Sequence, residues 1–321
     1  MDRRNFIAGC LGLPLLAQGG GSQAQAALTK MIFPFAAGAG GDTLCRLIAQ
    51  EMAPALQRTI VVENRTGGDG LIGIKAVKGA SPDGGMVLVT TGPTMYLLPM
   101  VETIPSFDAA KDFVPVSLLA RFEFALVISP AVDATDFKSF VGWLKAHPDR
   151  TSYGVPSSGT IPHFMGSKLE KDLGIPLSRV PYRGSAAILN DLVGGHIPFG
   201  ITTLADALAQ HRAKGVKIIA VSSADRSPFA SEVPTLKESG IDLVADAWYG
   251  MWLPAGSSPE FASKLGAAAS AALAKPEVKE KLMAIGLIPV GSTPDGLMKE
   301  LAANTALWQP IVKATGYKIE N

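Results

Sequence analysis

The feature that most constrains this chain is an alternation of short apolar runs of strand length with segments of helical periodicity. The runs are residues 31–35, 60–62, 86–90, 124–128 and 218–221. That alternation predicts an α/β fold with largely parallel sheets. Between the first two runs Leu44, Leu47, Ile48 and Met52 recur at helical spacing, and Asp42 is placed to cap the start of that helix. The same unit of strand, glycine-rich loop and helix recurs twice. Tyr153-Gly154-Val155 enters Pro156-Ser157-Ser158-Gly159-Thr160, after which Met165, Leu169 and Leu173 mark a helical face. Val180-Pro181-Tyr182 leads through Arg183-Gly184-Ser185 into a helix stopped by Gly194-Gly195. No low-complexity linker or short repeat interrupts the pattern, so crossings between domains are expected inside ordered strands, near 118–127 and 244–250.

The amino terminus reads as an export signal. A twin arginine, Arg3-Arg4, precedes Asn5-Phe6-Ile7 and an apolar stretch too short to span a bilayer. Ala24-Gln25-Ala26 has the small-x-small form of a signal-peptidase site. The expected signal peptide is therefore 1–26, of twin-arginine type, cleaved after Ala26, with the mature protein in the periplasm and the twin-arginine export machinery as a partner. Ile7-Ala8-Gly9-Cys10 imitates a lipobox, but this cysteine stands before the apolar segment it should follow.

The chain has 29 basic and 28 acidic residues, and removal of Asp2, Arg3 and Arg4 with the signal leaves 27 of each. Such a balance carries no footprint for nucleic acid or an anionic membrane, so anion selectivity has to be local. Cys45 is the only cysteine beyond the signal, and the four histidines, His147, His163, His196 and His211, lack metal-ligand spacing. No metal and no cofactor are expected, and the mature chain is expected to be a monomer.

The loop Phe35-Ala36-Ala37-Gly38-Ala39-Gly40-Gly41-Asp42 joins a strand end to a helix start, where free N–H groups and the positive end of the helix dipole bind anions. Small residues let a carboxylate approach the main chain. Ser157, Ser158, Gly159 and Thr160 form a second loop of this kind, and two facing each other would clamp a carboxylate. Gly68-x-Gly70-x-x-Gly73 spells a dinucleotide fingerprint but follows the second strand and lacks the acidic residue after the next one, which argues against nucleotide chemistry. Ser157 and Ser158 near His163 raise a hydrolase reading, yet the glycine on both sides that a nucleophile elbow requires is missing. His163 opens a helix and either bonds locally or reaches ligand. The aromatic residues Phe35, Tyr182 and Trp248 are candidates to wall a pocket, and Thr91, Thr94, Thr202, Thr203, Asp206 and Trp248 are candidates for its distal part.

From about residue 30 to 316 the chain resembles the Bug family, the periplasmic solute-binding proteins of tripartite tricarboxylate transporters. The resemblance rests on an ordered set: Pro34-Phe35 to Asp42 and Arg46; Val61-Val62-Glu63-Asn64-Arg65 with Gly67 to Gly73; and Pro82-Asp83-Gly84. It continues through Tyr153-Gly154 to Gly159 and His163, Val180-Pro181-Tyr182-Arg183-Gly184, Asp191-Leu192-Val193-Gly194-Gly195 and Glu232-Val233-Pro234-Thr235. The resemblance implies a two-lobed periplasmic-binding-protein clamshell, type II-like, with two sheets flanked by helices and strand crossovers between domains. Domain 1 would be 27–122 plus 248–321 and domain 2 would be 123–247, with the ligand cleft between them. It also implies a non-enzymatic role, capture of a small organic acid through main-chain amides and water, with the transporter's membrane subunits as partners or, alternatively, a signalling receptor. Under it the 68–73 glycines are a structural loop. Two departures stand out: Gly41 where many members carry a hydroxyl residue, and Thr66-Gly67-Gly68-Asp69-Gly70 where many have an uncharged turn. Both imply a clamp that leans on the main chain and water.

Overall fold

A computed structural model describes residues 27–38 and 40–319; the expected signal peptide and Ala39 lie outside the described residues. The first part of the chain runs β1 (Ala27–Phe33), α1 (Gly40–Leu56), β2 (Arg58–Asn64), a 3₁₀ turn (Gly68–Gly70), α2 (Leu71–Lys78), β3 (Met86–Thr91), α3 (Gly92–Val101), α4 (Ala109–Asp112) and β4 (Phe113–Phe122). It continues with β5 (Phe124–Ile128), α5 (Phe137–Ala146), β6 (Ser152–Val155), α6 (Ile161–Leu173), β7 (Ser178–Pro181), α7 (Ser185–Val193), β8 (Phe199–Thr203), α8 (Leu204–Arg212) and β9 (Lys217–Val221). The last part holds β10 (Ala247–Pro254), α9 (Pro259–Ala274), α10 (Pro276–Ala284), β11 (Ile288–Pro289) and α11 (Pro294–Thr315).

These strands build two sheets, one ordered β11-β4-β10-β3-β1-β2 and the other β7-β6-β8-β5-β9. Strand alternation sends side chains to opposite faces, and both faces of each sheet are covered. In β1 Met31 and Phe33 pack into the core under α1 and α9, while Ile32 enters the core on the other side. In β5 Ala125 and Val127 face α7 and α8, whereas Phe124, Leu126 and Ile128 join the core with α5 and α6. Double coverage explains why β5 is apolar throughout and wholly buried.

The sheets are mixed rather than largely parallel. β1 runs parallel to β2 and β3, and β6 parallel to β7 and β8, as crossover helices dictate. β5 runs against β8 and β9, and β10 against β3 and β4. Those are the strands that carry the chain into the second sheet and back to the first. Lacking a crossover helix within their own sheet, they arrive reversed.

Only Glu123 separates β4 of the larger sheet from β5 of the smaller, and the return passes through an irregular segment, 222–246. Ser222, fully buried, clips the two passages together: its hydroxyl accepts the Phe124 N–H at 2.9 Å and donates to the Ala245 carbonyl at 3.0 Å. Beside it Arg121 pairs with Asp246 at 2.6 Å and with Glu300 of α11. Burial pushes the Asp246 carboxyl up, and Arg121 works against that rise. The segment after α11 rejoins the larger lobe, where Ile319 donates its N–H to Val101 and accepts from Thr103. Ser222→Ala leaves a buried N–H and a buried carbonyl without partners, so a loss of about 1–3 kcal/mol is expected in urea unfolding of the protein.

Candidate functional site

The strand-to-helix turns of both sheets open onto one cleft, a cavity of about 490 Å³. From the larger lobe come Phe33, Phe35, Asp69, Thr91, Thr94, Leu97, Leu98, Phe122 and Tyr249, and from the smaller lobe Phe124, Ser157, Ser158, Gly159, Thr160, Gly184, Ser185, Thr203 and Asp206. Ile319 closes one edge.

The electrostatics come from the backbone. Thr91, Thr160, Gly184 and Thr203 line the cavity and are the N-cap residues of α3, α6, α7 and α8. Four helices from two lobes therefore aim their amino ends at one volume, each worth about half a positive charge. Thr91 caps its own helix by accepting the Thr94 N–H, but the N-caps of α6, α7 and α8 make no side-chain capping bond. The Leu204 N–H of α8 donates to the Glu123 carbonyl at 2.8 Å, and the first-turn amides of α6 and α7 are left to an acceptor from outside. Among the described residues lining the cleft none is basic and two are acidic, Asp69 and Asp206. Asp206, in the first turn of α8, accepts from the Thr203 hydroxyl at 2.6 Å. The remaining wall is aromatic, with Phe122 packed on Phe124 and on Tyr249, and Phe33 on Phe35.

Of the residues singled out by sequence, Phe35, Thr91, Thr94, Ser157, Ser158, Gly159, Thr160, Thr203 and Asp206 line this volume. The first glycine loop contributes its aromatic and little else. Ala36, Ala37 and Gly38 are exposed outside the cavity, Gly40 is half-buried against Leu287, and Gly41 is buried beneath two rings. A Cβ at Gly41 would lie 2.5 Å from the Phe33 ring and 2.6 Å from that of Tyr249. Glycine at this position thus admits the aromatic wall.

Asp42 is neither a helix cap nor a cleft residue. Helix α1 begins two residues earlier, and the carboxylate turns back to accept the Gly38 N–H at 3.0 Å. Arg46 grips it with two bonds and Asn64 donates to it at 2.9 Å while also reaching the Phe35 carbonyl. Burial alone would raise this carboxyl, but the bonds from Arg46, Gly38 and Asn64 outweigh it and hold it below the usual range. Asp42 therefore braces the loop. Tyr182 is likewise turned away, its hydroxyl donating to Asp191 at 2.6 Å. Thr202 is buried and donates to the Thr203 carbonyl, and Trp248 is core, its indole filling the space a Cβ on Gly92 would need.

His163 lies behind the second loop, outside the cleft. Its Nδ1 accepts the Gly159 N–H at 3.0 Å, and its Nε2 meets the Arg179 guanidinium. The Ser157 hydroxyl instead points to the Ser158 carbonyl, so no nucleophile–base pair is assembled here. Missed by sequence were Asp69, Tyr249, Phe122, Gly184, Ser185 and Ile319. Asp69 sits in a left-handed turn (φ 52°) inside the 68–73 glycine loop, beside Gly70, which packs on Thr94 and Phe35. The cleft's only sequence signal there was a charge in an otherwise neutral turn.

Two outcomes follow. Gly41→Ser should cost about 1–3 kcal/mol in thermal or urea unfolding, because Phe33 and Tyr249 must move. Burial, then the Arg179 charge, pushes His163 down to about 4 from an ordinary 6.5. Between those values the unfolded chain binds the proton and the folded chain does not, so stability falls as pH drops through the window. Urea midpoints measured at about pH 7 and about pH 5 should diverge less in His163→Gln than in the unaltered protein.

The profile of the tripartite tricarboxylate transporter family receptor, TctC, matches residues 44–317. The chain is similar to protein BugT of Bordetella pertussis, 29% identical over 294 residues that cover 91% of this chain and 90% of that one. Among solved structures it is similar to R. palustris Rpa4515 with adipate, at 27% identity and a TM-score of 0.81, over 92% of this chain and 99% of the other. It is also similar to MatC from Rhodopseudomonas palustris with bound malate, at 27% identity and a TM-score of 0.77, over 89% and 99%. With its two helix-flanked sheets and this match across most of its length, the chain belongs to the TctC family of tripartite tricarboxylate transporter receptors.

Proposed function

We propose that this protein is a periplasmic solute-binding protein that captures a small organic carboxylate in the interlobe cleft and delivers it to the membrane subunits of a tripartite tricarboxylate-type transporter. The observation that carries this reading is the convergence of the amino ends of α3, α6, α7 and α8 on one cavity without a basic side chain. Uncapped amides and dipoles favour an anionic acceptor over a neutral or cationic solute. The similar proteins with adipate and with malate support the same ligand class.

In this reading the carboxylate docks on the amides of Ser157, Ser158 and Thr160 together with Ser185, while the Gly159 amide stays on His163. Thr91 and Thr94 approach from the opposite wall. The ligand's body lies on Phe35, Phe122, Phe124 and Tyr249, and Asp69 and Asp206 accept from a hydroxyl or water at its far end. No bond is made or broken. Binding shifts an equilibrium between open and closed lobes, with 27–122 plus 248–321 as one body and 123–247 as the other, bending beside Glu123 and Ala247. The closed form is what a membrane partner reads. Residues 1–26 direct export by the twin-arginine route and are removed after Ala26, and the mature protein acts as a monomer.

A thermal-shift screen of mono-, di- and tricarboxylates and aromatic acids tests this. A true ligand at a hundredfold excess over its Kd adds about 2.7 kcal/mol of stability and raises the Tm, while its neutral amide leaves it unchanged. No stabilisation by any acid, or equal stabilisation by acid and amide, contradicts the reading.

A further inference from the structure

A second cavity, of about 650 Å³, lies on the far side of the Ser157–Thr160 loop from the cleft. Its floor includes Leu177, Ile311 and Tyr317, Lys168 and Lys171 stand on its wall, and Arg179 reaches into it from β7. Among the described residues Arg179 has no carboxylate partner. Its Nε is sealed from solvent without a hydrogen bond, and its neighbours are the face of the Tyr317 ring at 5.5 Å and His163 Nε2. A cation–π contact offsets only part of the cost of sealing that N–H from water.

His163 sharpens the point. Both of its ring nitrogens face donors, the Gly159 N–H on one side and the Arg179 guanidinium on the other. A neutral imidazole has one acceptor nitrogen, so in either tautomer one of these contacts brings donor against donor. An anion in the cavity would draw the guanidinium off His163 and supply the two-pronged acceptor that its geometry fits.

We propose that this cavity is a binding site for an organic anion: Arg179 takes its carboxylate, Lys168 and Lys171 attract it from the rim, and its apolar body rests on Leu177, Ile311 and Tyr317. Glu170, exposed on the same wall, and Asp172, paired with Lys168, restrict the site to anions that can reach Arg179 itself. The site joins α6 and β7 of the smaller lobe to α11 and Tyr317 of the larger. Through His163 and Gly159 it touches the loop that lines the cleft. Occupancy therefore changes how that loop is held and couples the cavity to the cleft. The site does not depend on what the cleft binds.

The test is a titration of the mature chain with benzoate, followed by the side-chain nitrogen signals of His163 and the backbone amides of Gly159, Ser185 and Thr203. Saturable shifts at His163 and Gly159 are expected, weakened about tenfold or more by Arg179→Gln and several-fold by the exposed-rim change Lys171→Glu. Benzamide should produce none of them. The absence of a saturable His163 response overturns the proposal. So does a response confined to Ser185 and Thr203, which places benzoate in the cleft alone, or an affinity unchanged in folded Arg179→Gln or in Lys171→Glu.

Discussion

A sheet covered by helices on both faces meets solvent only at its edges and at the ends of its strands. Both sheets of this protein are covered in that way, β1 and β5 each sending alternate residues into separate cores. Ligand chemistry is thereby driven to the strand ends, where the chain turns into the next helix and leaves its first amides unpaired. Because β5 and β10 carry the chain between the sheets, the strand ends of one lobe face those of the other. The cleft and its positive backbone potential follow from this one constraint, with no basic side chain needed to create them.

Side chains then hold the turns in place. Asp42, Arg46 and Asn64 tie the first loop to β2, and His163 holds Gly159 from behind. Gly41 and Gly70 bring the aromatic wall and the Asp69 turn close to the cavity, since a larger residue at either would press on Phe33, Phe35, Tyr249 or Thr94. At the passages between sheets, Ser222 and Arg121 secure strands that would otherwise be joined by little more than Glu123 and an irregular segment. Asp42 and Ser222, both buried, stand where the fold turns or crosses, which is where backbone groups need partners from outside their own helix or ladder.

Much of this was legible in the sequence, and the failures are systematic. Periodicity located β3, β5 and β9 to within a residue and identified the Ser157–Thr160 loop, because burial on two faces leaves an unmistakable apolar run. Direction was harder. The spacing of Asp42 and His163 placed them at helix starts but could not say that one turns back to its loop and the other away from the cleft. Faces were harder still. Thr202 and Thr203, like Trp248 and Tyr249, are neighbours on strands, so one of each pair is core and the other lines the cleft, and nothing local distinguishes them. Phe122 and Ile319 reach the cleft only through tertiary packing across distant parts of the chain.

The central claim is that backbone amides of facing helix starts select an organic acid. Mass spectrometry of the small molecules released from the protein isolated from its native cells tests it most directly, because the cell and not the experimenter chooses the ligand. The account predicts a small organic carboxylate in stoichiometric amount. A stoichiometric cationic or uncharged solute in its place would contradict it.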